Sequence, residues 1–211
     1  MKYEAVLFDM NGVLVDDEML QEDAFRQVLS HIGYELSPDD YKKYFAGRTD
    51  KEGFENYLAS QNKEADVSKL SEEKTLDYFE RIKSGVEGYD GTKEFAEETS
   101  FRGLKLAIVT SSNRNEADSL ISGLGFTPLL SATITGDDVL WGKPDPESYL
   151  KAAAELGVEP ARCLVIEDTP SGITAARSAG MDVIGVTNTH TAEELAGASR
   201  VVEKLSIDLL S

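Results

Sequence analysis

Four short clusters of reactive side chains recur along the chain, each directly after or close to an apolar run. The first is Asp9 in Phe8-Asp9-Met10-Asn11-Gly12. An aspartate at the tip of a buried strand, followed by a glycine that permits a sharp turn, suits a carboxylate nucleophile or a metal ligand. The second, Thr110-Ser111-Ser112, precedes a helical segment, so hydroxyls and helix-start amides can converge on an anion. In the third, Gly142-Lys143-Pro144-Asp145-Pro146, glycine and proline constrain the backbone around Lys143, which fits a cation aimed at a fixed point. The fourth, Glu167-Asp168-Thr169-Pro170-Ser171-Gly172, pairs two carboxylates just before a helix. Hard oxygen ligands of this kind suit Mg²⁺, and such an ion relieves repulsion between Asp9 and Asp168. Singly, each cluster has an ordinary reading: an Asx-turn at Asp9, an N-cap after Thr110, a surface lysine at Lys143, a cap at Thr169 or Ser171. All four in this order are far more specific than any one.

Such clusters need a scaffold that brings them together. The runs Ala5–Phe8, Leu106–Val109, Cys163–Ile166 and Val183–Val186 are nearly continuous in apolar residues, as strands covered on both faces are. Amphipathic segments at Arg114–Leu124 and Pro146–Leu156 alternate with them, which predicts a parallel sheet. Polar residues at the strand ends then line the ligand crevice of an open α/β sheet. Between the first two strands lies a charge-rich helical stretch: Glu18–Ile32, Pro38–Phe45, Lys51–Ser60 and Val67–Ile82. A run of helices inside a βαβ order reads as an insert. It returns through the glycine-dense Ser84–Gly91, a hinge or turn. The expected fold is therefore α/β: a Rossmann-like parallel-sheet core over residues 1–16 and 85–211, with a small α-helical cap domain inserted at 17–84.

Composition limits the partners. The 211 residues carry 39 Asp and Glu against 21 Lys and Arg, a formal charge of −18, which argues against generic binding to nucleic acid or acidic membranes. A lone cysteine, Cys163, excludes an internal disulfide and a thiolate zinc cluster. Neither a cationic, apolar leader nor an apolar run of spanning length is present, so a soluble, cytoplasmic protein is expected. Composition does not set the oligomeric state, and a monomer is compatible with it.

With these motifs in order, the sequence resembles the haloacid dehalogenase superfamily over essentially its whole length, in the phosphatase and β-phosphoglucomutase-like branch with a helical cap. The segment Glu167–Gly180, including Thr169-Pro170-Ser171-Gly172, Ala175-Ala176 and Ala179-Gly180, carries much of the likeness. The resemblance implies that Asp9 is the nucleophile that forms an aspartyl-phosphate and that Thr110 binds the transferring phosphoryl group. Lys143 would neutralise charge on both, while Asp168 with Glu167, Asp9 and the backbone carbonyl of Asn11 would hold Mg²⁺. The implied reaction is hydrolysis of a small phosphomonoester, a sugar or metabolite phosphate.

Asn11 is where the pattern breaks. Phosphatases and mutases of the family carry aspartate there as the general acid and base, and an amide cannot supply that contribution of ~10²–10⁴-fold. Three readings stay open: a natural variant in which a cap carboxylate such as Asp17 or Glu18 handles the proton, an engineered or slowed enzyme, or a phosphometabolite-binding pseudoenzyme. Candidate substrate contacts are Ser111, Ser112 and, in the insert, Gln21, Arg48 and Thr49. Where mutase relatives place a cap histidine and arginine, this chain has Gln21 and Asp50, which favours hydrolysis over a sugar phosphomutase reaction. His31 and His190 are expected to be structural or exposed, and Asp137-Asp138 a solvated loop.

Overall fold

A computed structural model describes residues 2–83 and 85–210; Ser84, within the predicted hinge and at the end of the predicted insert, lies outside them. The chain begins with strand β1 (Ala5–Phe8), followed by helices α1 (Glu18–His31), α2 (Pro38–Tyr44), α3 (Asp50–Ser60) and α4 (Val67–Ile82). Helix α5 (Thr92–Phe101), strand β2 (Lys105–Val109), helix α6 (Arg114–Gly123) and strand β3 (Ala132–Ile134) come next. Helix α7 (Glu147–Leu156), strand β4 (Cys163–Glu167), helix α8 (Pro170–Ser178), strand β5 (Asp182–Val186) and strand β6 (Arg200–Val202) complete it. The six strands form one sheet in the order β3-β2-β1-β4-β5-β6, with every pairing parallel.

β1 lies inside the sheet, with Ala5 in register with both Lys105 and Cys163. Alternate residues along it serve two cores. Val6 and Phe8 join Leu106, Ile108, Leu164 and Ile166 beneath Phe95 of α5 and Leu120 of α6. Ala5 and Leu7 join Ala107, Val109 and Val165 beneath Tyr149 of α7 and Ile173 of α8. Covering both faces is what makes the strands continuously apolar.

Helices α1–α4 pack a separate aromatic core of Phe25, Tyr41, Phe45, Phe54 and Tyr57, in which the Phe25 and Phe45 rings approach to 4.5 Å between centroids. This cluster is independent of the sheet's two layers. α1 and α4 also send Ala24 and Tyr78 into the sheet's core. The insert is thus a small hydrophobic unit leaning on the larger one.

The predicted helices of the insert agree with the observed ones to within a residue. α3 starts one residue early because Thr49 and Glu52 form a capping box around its first turn. Two strands and one helix were not expected. β3 and β6 are three-residue edge strands, only partly buried, too short and too exposed for a continuous apolar run. α5 buries only Thr92, Phe95, Ala96 and Thr99, so its sequence reads as polar. Among the described residues no helix is long and apolar enough to cross a membrane.

Candidate active site

Parallel strands end on one side, and the tips of β1, β2 and β4 therefore deliver their polar residues to one place. Asp9 continues β1, its amide donating to Ile166 O at 2.9 Å, while Thr110 continues β2 and donates to Ile134 O at 2.9 Å. With Lys143 and Asp168 they line a cavity of about 610 Å³, its open mouth included, whose opposite wall comes from the helical insert.

Lys143 is buried, and its ammonium donates to Asp9 Oδ1, to Glu167 Oε1 at 2.6 Å and to Val109 O at 3.2 Å. Burial opposes its charge, but Asp9 and Glu167 outweigh burial and hold it well above the usual lysine range. Glu167 is saturated. Oε1 also accepts from Tyr149 OH at 2.9 Å, and Oε2 accepts from the amides of Asp168 and Thr169 at 3.0 Å and from Thr169 Oγ1 at 2.9 Å. Burial would raise this carboxyl, yet Lys143 and these donors bring it below its ordinary value. A Cβ at residue 172 would collide with Glu167, which accounts for Gly172.

Asp168 is the opposite case. Its Oδ2 accepts from Thr189 Oγ1, whereas Oδ1 is buried without a partner. Burial, Asp9 and Glu167 together push its carboxyl well above the carboxylate range, and burial lifts Asp9 to about 7 despite Lys143. Donor oxygens of Asp9, Glu167 and Asp168 lie within 4.8 Å of one another. Crowded hard carboxylates with one orphan oxygen fit a small divalent cation, which would offset their repulsion. Gly12, at φ +81°, leaves the space that the Asp168 carboxylate occupies.

Asn11 is held from both ends. Its Nδ2 donates to Asp17 at 2.8 and 3.0 Å, and its Oδ1 accepts from Ser112 Oγ at 2.9 Å and Thr110 Oγ1 at 3.3 Å. Asp17 is itself fixed by Tyr78 OH at 2.5 Å and Gln21 Nε2 at 3.2 Å. Asp17 is thus turned toward Asn11, while its neighbour Glu18 lines the cavity with its carboxyl raised by burial to about 6.

The other residues singled out from sequence divide. Ser111, Ser112, Gln21 and Arg48 line the cavity, although Ser111 Oγ also donates to Gly47 O of the insert at 3.2 Å. Thr49 does not line it: its hydroxyl is turned to Glu52 as the cap of α3. Asp138 accepts from Thr135 at the start of a short 3-10 turn and pairs with Arg114, so the Asp137-Asp138 loop is a capped turn. His190 differs from expectation: it lines the cavity, with Nδ1 2.9 Å from Thr189 Oγ1.

Known proteins are similar to this chain in sequence and fold. Residues 6–186 match the profile of haloacid dehalogenase-like hydrolases. Validoxylamine A 7'-phosphate phosphatase of Streptomyces hygroscopicus subsp. limoneus is 34% identical over 204 residues, covering 97% of this chain and 95% of its own. The chain belongs to the haloacid dehalogenase-like hydrolase family, in its phosphatase branch. Among relatives of this family, the phosphorylated carbohydrates phosphatase of Thermotoga maritima is 34% identical over 185 residues, 86% of this chain and 83% of that one. The crystal structure of CbbY from Rhodobacter sphaeroides in complex with phosphate superposes with a TM-score of 0.87 at 26% identity, over 96% of this chain and 94% of that one.

In this haloacid dehalogenase-like hydrolase Thr189 and Lys74 also line the cavity, and sequence reasoning passed over both. Thr189 and His190 follow β5, so the same strand-end rule that singled out Asp9, Thr110 and Asp168 would have found them. Lys74 sits between Leu70 and Tyr78 on the buried stripe of α4, a charged residue at core spacing. Its partners Asp50 and Glu116 carried no local signal.

Proposed function

We propose that this hydrolase is a Mg²⁺-dependent phosphatase of small phosphomonoesters, sugar or metabolite phosphates, that works through an aspartyl-phosphate on Asp9. One observation carries the reading. A buried lysine on Asp9 and an orphan buried oxygen on Asp168 face the same cavity as the Thr110 and Ser112 hydroxyls. Asp9, Asp168 and the Asn11 backbone carbonyl would hold the ion, beside Glu167, whose five donors suit it to fixing Lys143 and the following turn. The bound cation supplies charge neutralisation between carboxylates and phosphate.

An Asp9 oxygen attacks phosphorus, and the bond from phosphorus to the leaving oxygen breaks. The leaving oxygen takes a proton and departs as the alcohol. Water then attacks the aspartyl-phosphate, gives up a proton, and releases inorganic phosphate with Asp9 restored. Lys143 and the Thr110 hydroxyl stabilise charge that develops on the phosphoryl oxygens, and positioning supplies the rest.

Asn11 cannot move the proton, and Asp17 is turned away from the cavity. Glu18 faces it, with a carboxyl poised near neutrality, and takes the acid–base role. Residues 17–84 act as the cap that selects substrate and excludes water over the core of 1–16 and 85–211. Phosphate release from a panel of sugar phosphates, with Mg²⁺ and with chelator, tests the reading. Asp9→Asn is expected to lower kcat at least ~10⁴-fold and to abolish acid-trappable phosphoprotein. Binding without turnover in the parent would instead mark a pseudoenzyme, and an isomerised sugar phosphate formed with a bisphosphate primer would mark a mutase.

A further inference from the structure

The cap-side wall of the cavity carries a second polar group that phosphoryl transfer does not use. Lys74 of α4 is 1% exposed, and its ammonium donates to Glu116 Oε1 and Oε2 at 3.0 and 3.1 Å and to Asp50 Oδ1 at 3.3 Å. All the protons of this ammonium are engaged, and the Phe25 and Tyr78 rings flank it at 4.8 and 5.4 Å. Lys74 is therefore not available to a second phosphate. Asp50 is different: its Oδ2 is buried without a hydrogen-bond partner, and both Asp50 and Lys74 line the cavity. The cluster has two carboxylates, Asp50 and Glu116, for one ammonium, and Glu18 lines the same cavity as Asp50.

A buried carboxylate oxygen left without a donor costs free energy, and a ligand that brings one is bound selectively. We infer that Asp50 Oδ2 accepts a hydrogen bond from a hydroxyl or ammonium on the part of a monophosphate substrate remote from its phosphate, so that the site takes polyol or amino-sugar monophosphates and disfavours bisphosphates. The inference rests on the phosphatase reading for the placement of the phosphate at Asp9. Burial, the largest influence, lifts the Asp50 carboxyl to about 6 in spite of Lys74 and Asn113. Arg48, exposed on the cavity wall and without an ion pair among the described residues, is the cation a bisphosphate would have to use.

The test is initial-rate kinetics of the full chain with Mg²⁺ on a hexitol monophosphate, its single-deoxy analogues, the matched amino analogues and the hexitol bisphosphate. Removing one particular hydroxyl is expected to lower kcat/KM on the order of 10- to 100-fold, and Asp50→Asn is expected to erase that discrimination. An amino analogue favoured over the hydroxyl, with an advantage that shrinks as salt rises, assigns the donor as an ammonium; no such advantage assigns a hydroxyl. Equal rates across the parent's deoxy series, discrimination retained in Asp50→Asn, or a bisphosphate preferred over the monophosphate would each overturn the inference. The parent series decides even where Asp50→Asn is unstable. If the parent hydrolyses no phosphomonoester, p-nitrophenyl phosphate included, the phosphatase reading fails, and calorimetric binding of the same series still reads the Asp50 preference.

Discussion

The Asn11 side chain is matched to its surroundings. It offers its amide protons to Asp17 and its carbonyl to two hydroxyls, and a carboxylate there would face Asp17 at hydrogen-bond distance with no proton between them. Asn11→Asp is therefore expected to lower stability by about 1–3 kcal/mol at alkaline pH and less at acidic pH, where the two groups share a proton. Urea unfolding at several pH values checks this, and Asn11→Asp combined with Asp17→Asn is expected to recover the loss. The acid–base role proposed for Glu18 predicts the pH dependence of catalysis. With its carboxyl raised to about 6, the acid form needed to protonate a leaving alcohol is lost as pH rises through that value. With saturating Mg²⁺ and an alkyl phosphate, kcat/KM is expected to fall above about pH 6, and Glu18→Gln to remove that limb. An unchanged profile in the variant would place the proton elsewhere.

At the scale of elements, the insert is tied to the sheet unit by polar contacts as well as by the apolar residues that α1 and α4 bury in its core. Lys74 of α4 meets Glu116 of α6, Asn113 Nδ2 donates to Thr75 Oγ1 at 2.8 Å, and Gly142 N donates to Glu52 Oε1 at 3.0 Å. Burial makes the first of these the strong one. Lys74→Met would leave Glu116 and Asp50 as buried carboxylates without their cation, at a cost of about 3–5 kcal/mol. Lys74→Met with Glu116→Gln is expected to recover much of that. The exposed Arg102–Glu98 pair of α5 is the contrast: its removal should cost ~1 kcal/mol or less in the same denaturant titration.

Over the whole molecule, the charge of −18 repels phosphate at long range, yet the site concentrates its own compensation. Asp9, Glu167 and Asp168 crowd together with Lys143 as their cation, so a divalent cation bound there is expected to stabilise the fold. Mg²⁺ at about 100 times its Kd is expected to raise the unfolding temperature by roughly 5–10 °C. Asp168→Asn should abolish that rise while itself raising the metal-free value, because one of the repelling carboxylates is gone. Calorimetry with Mg²⁺ and with chelator distinguishes the two effects.

The strand tips could be read from the chain alone because each motif is local: an apolar run marks a strand, the next polar residues mark its end, and parallel strands must end together. That placed Asp9, Thr110 and Asp168 in one crevice and read the charge-rich run of helices between the first two strands as an insert. The same reasoning missed Thr189 and read His190 as structural or exposed because the strand-end rule was not applied after β5, and it passed over β3, β6 and α5 because short or half-exposed elements bury too little to leave a pattern. It sent Thr49 to the substrate, where the competing N-cap geometry took the hydroxyl instead. What no local pattern carries is the meeting of residues from separate elements. The pairing of Asn11 with Asp17 and Tyr78, the saturation of Glu167 by α7 and the turn after β4, and the contact of Lys74 with Asp50 and Glu116 all depend on where the insert and the helices pack. Burial and distance decide which of those carboxylates is satisfied and which is left with a free oxygen, and both are properties of the packed chain.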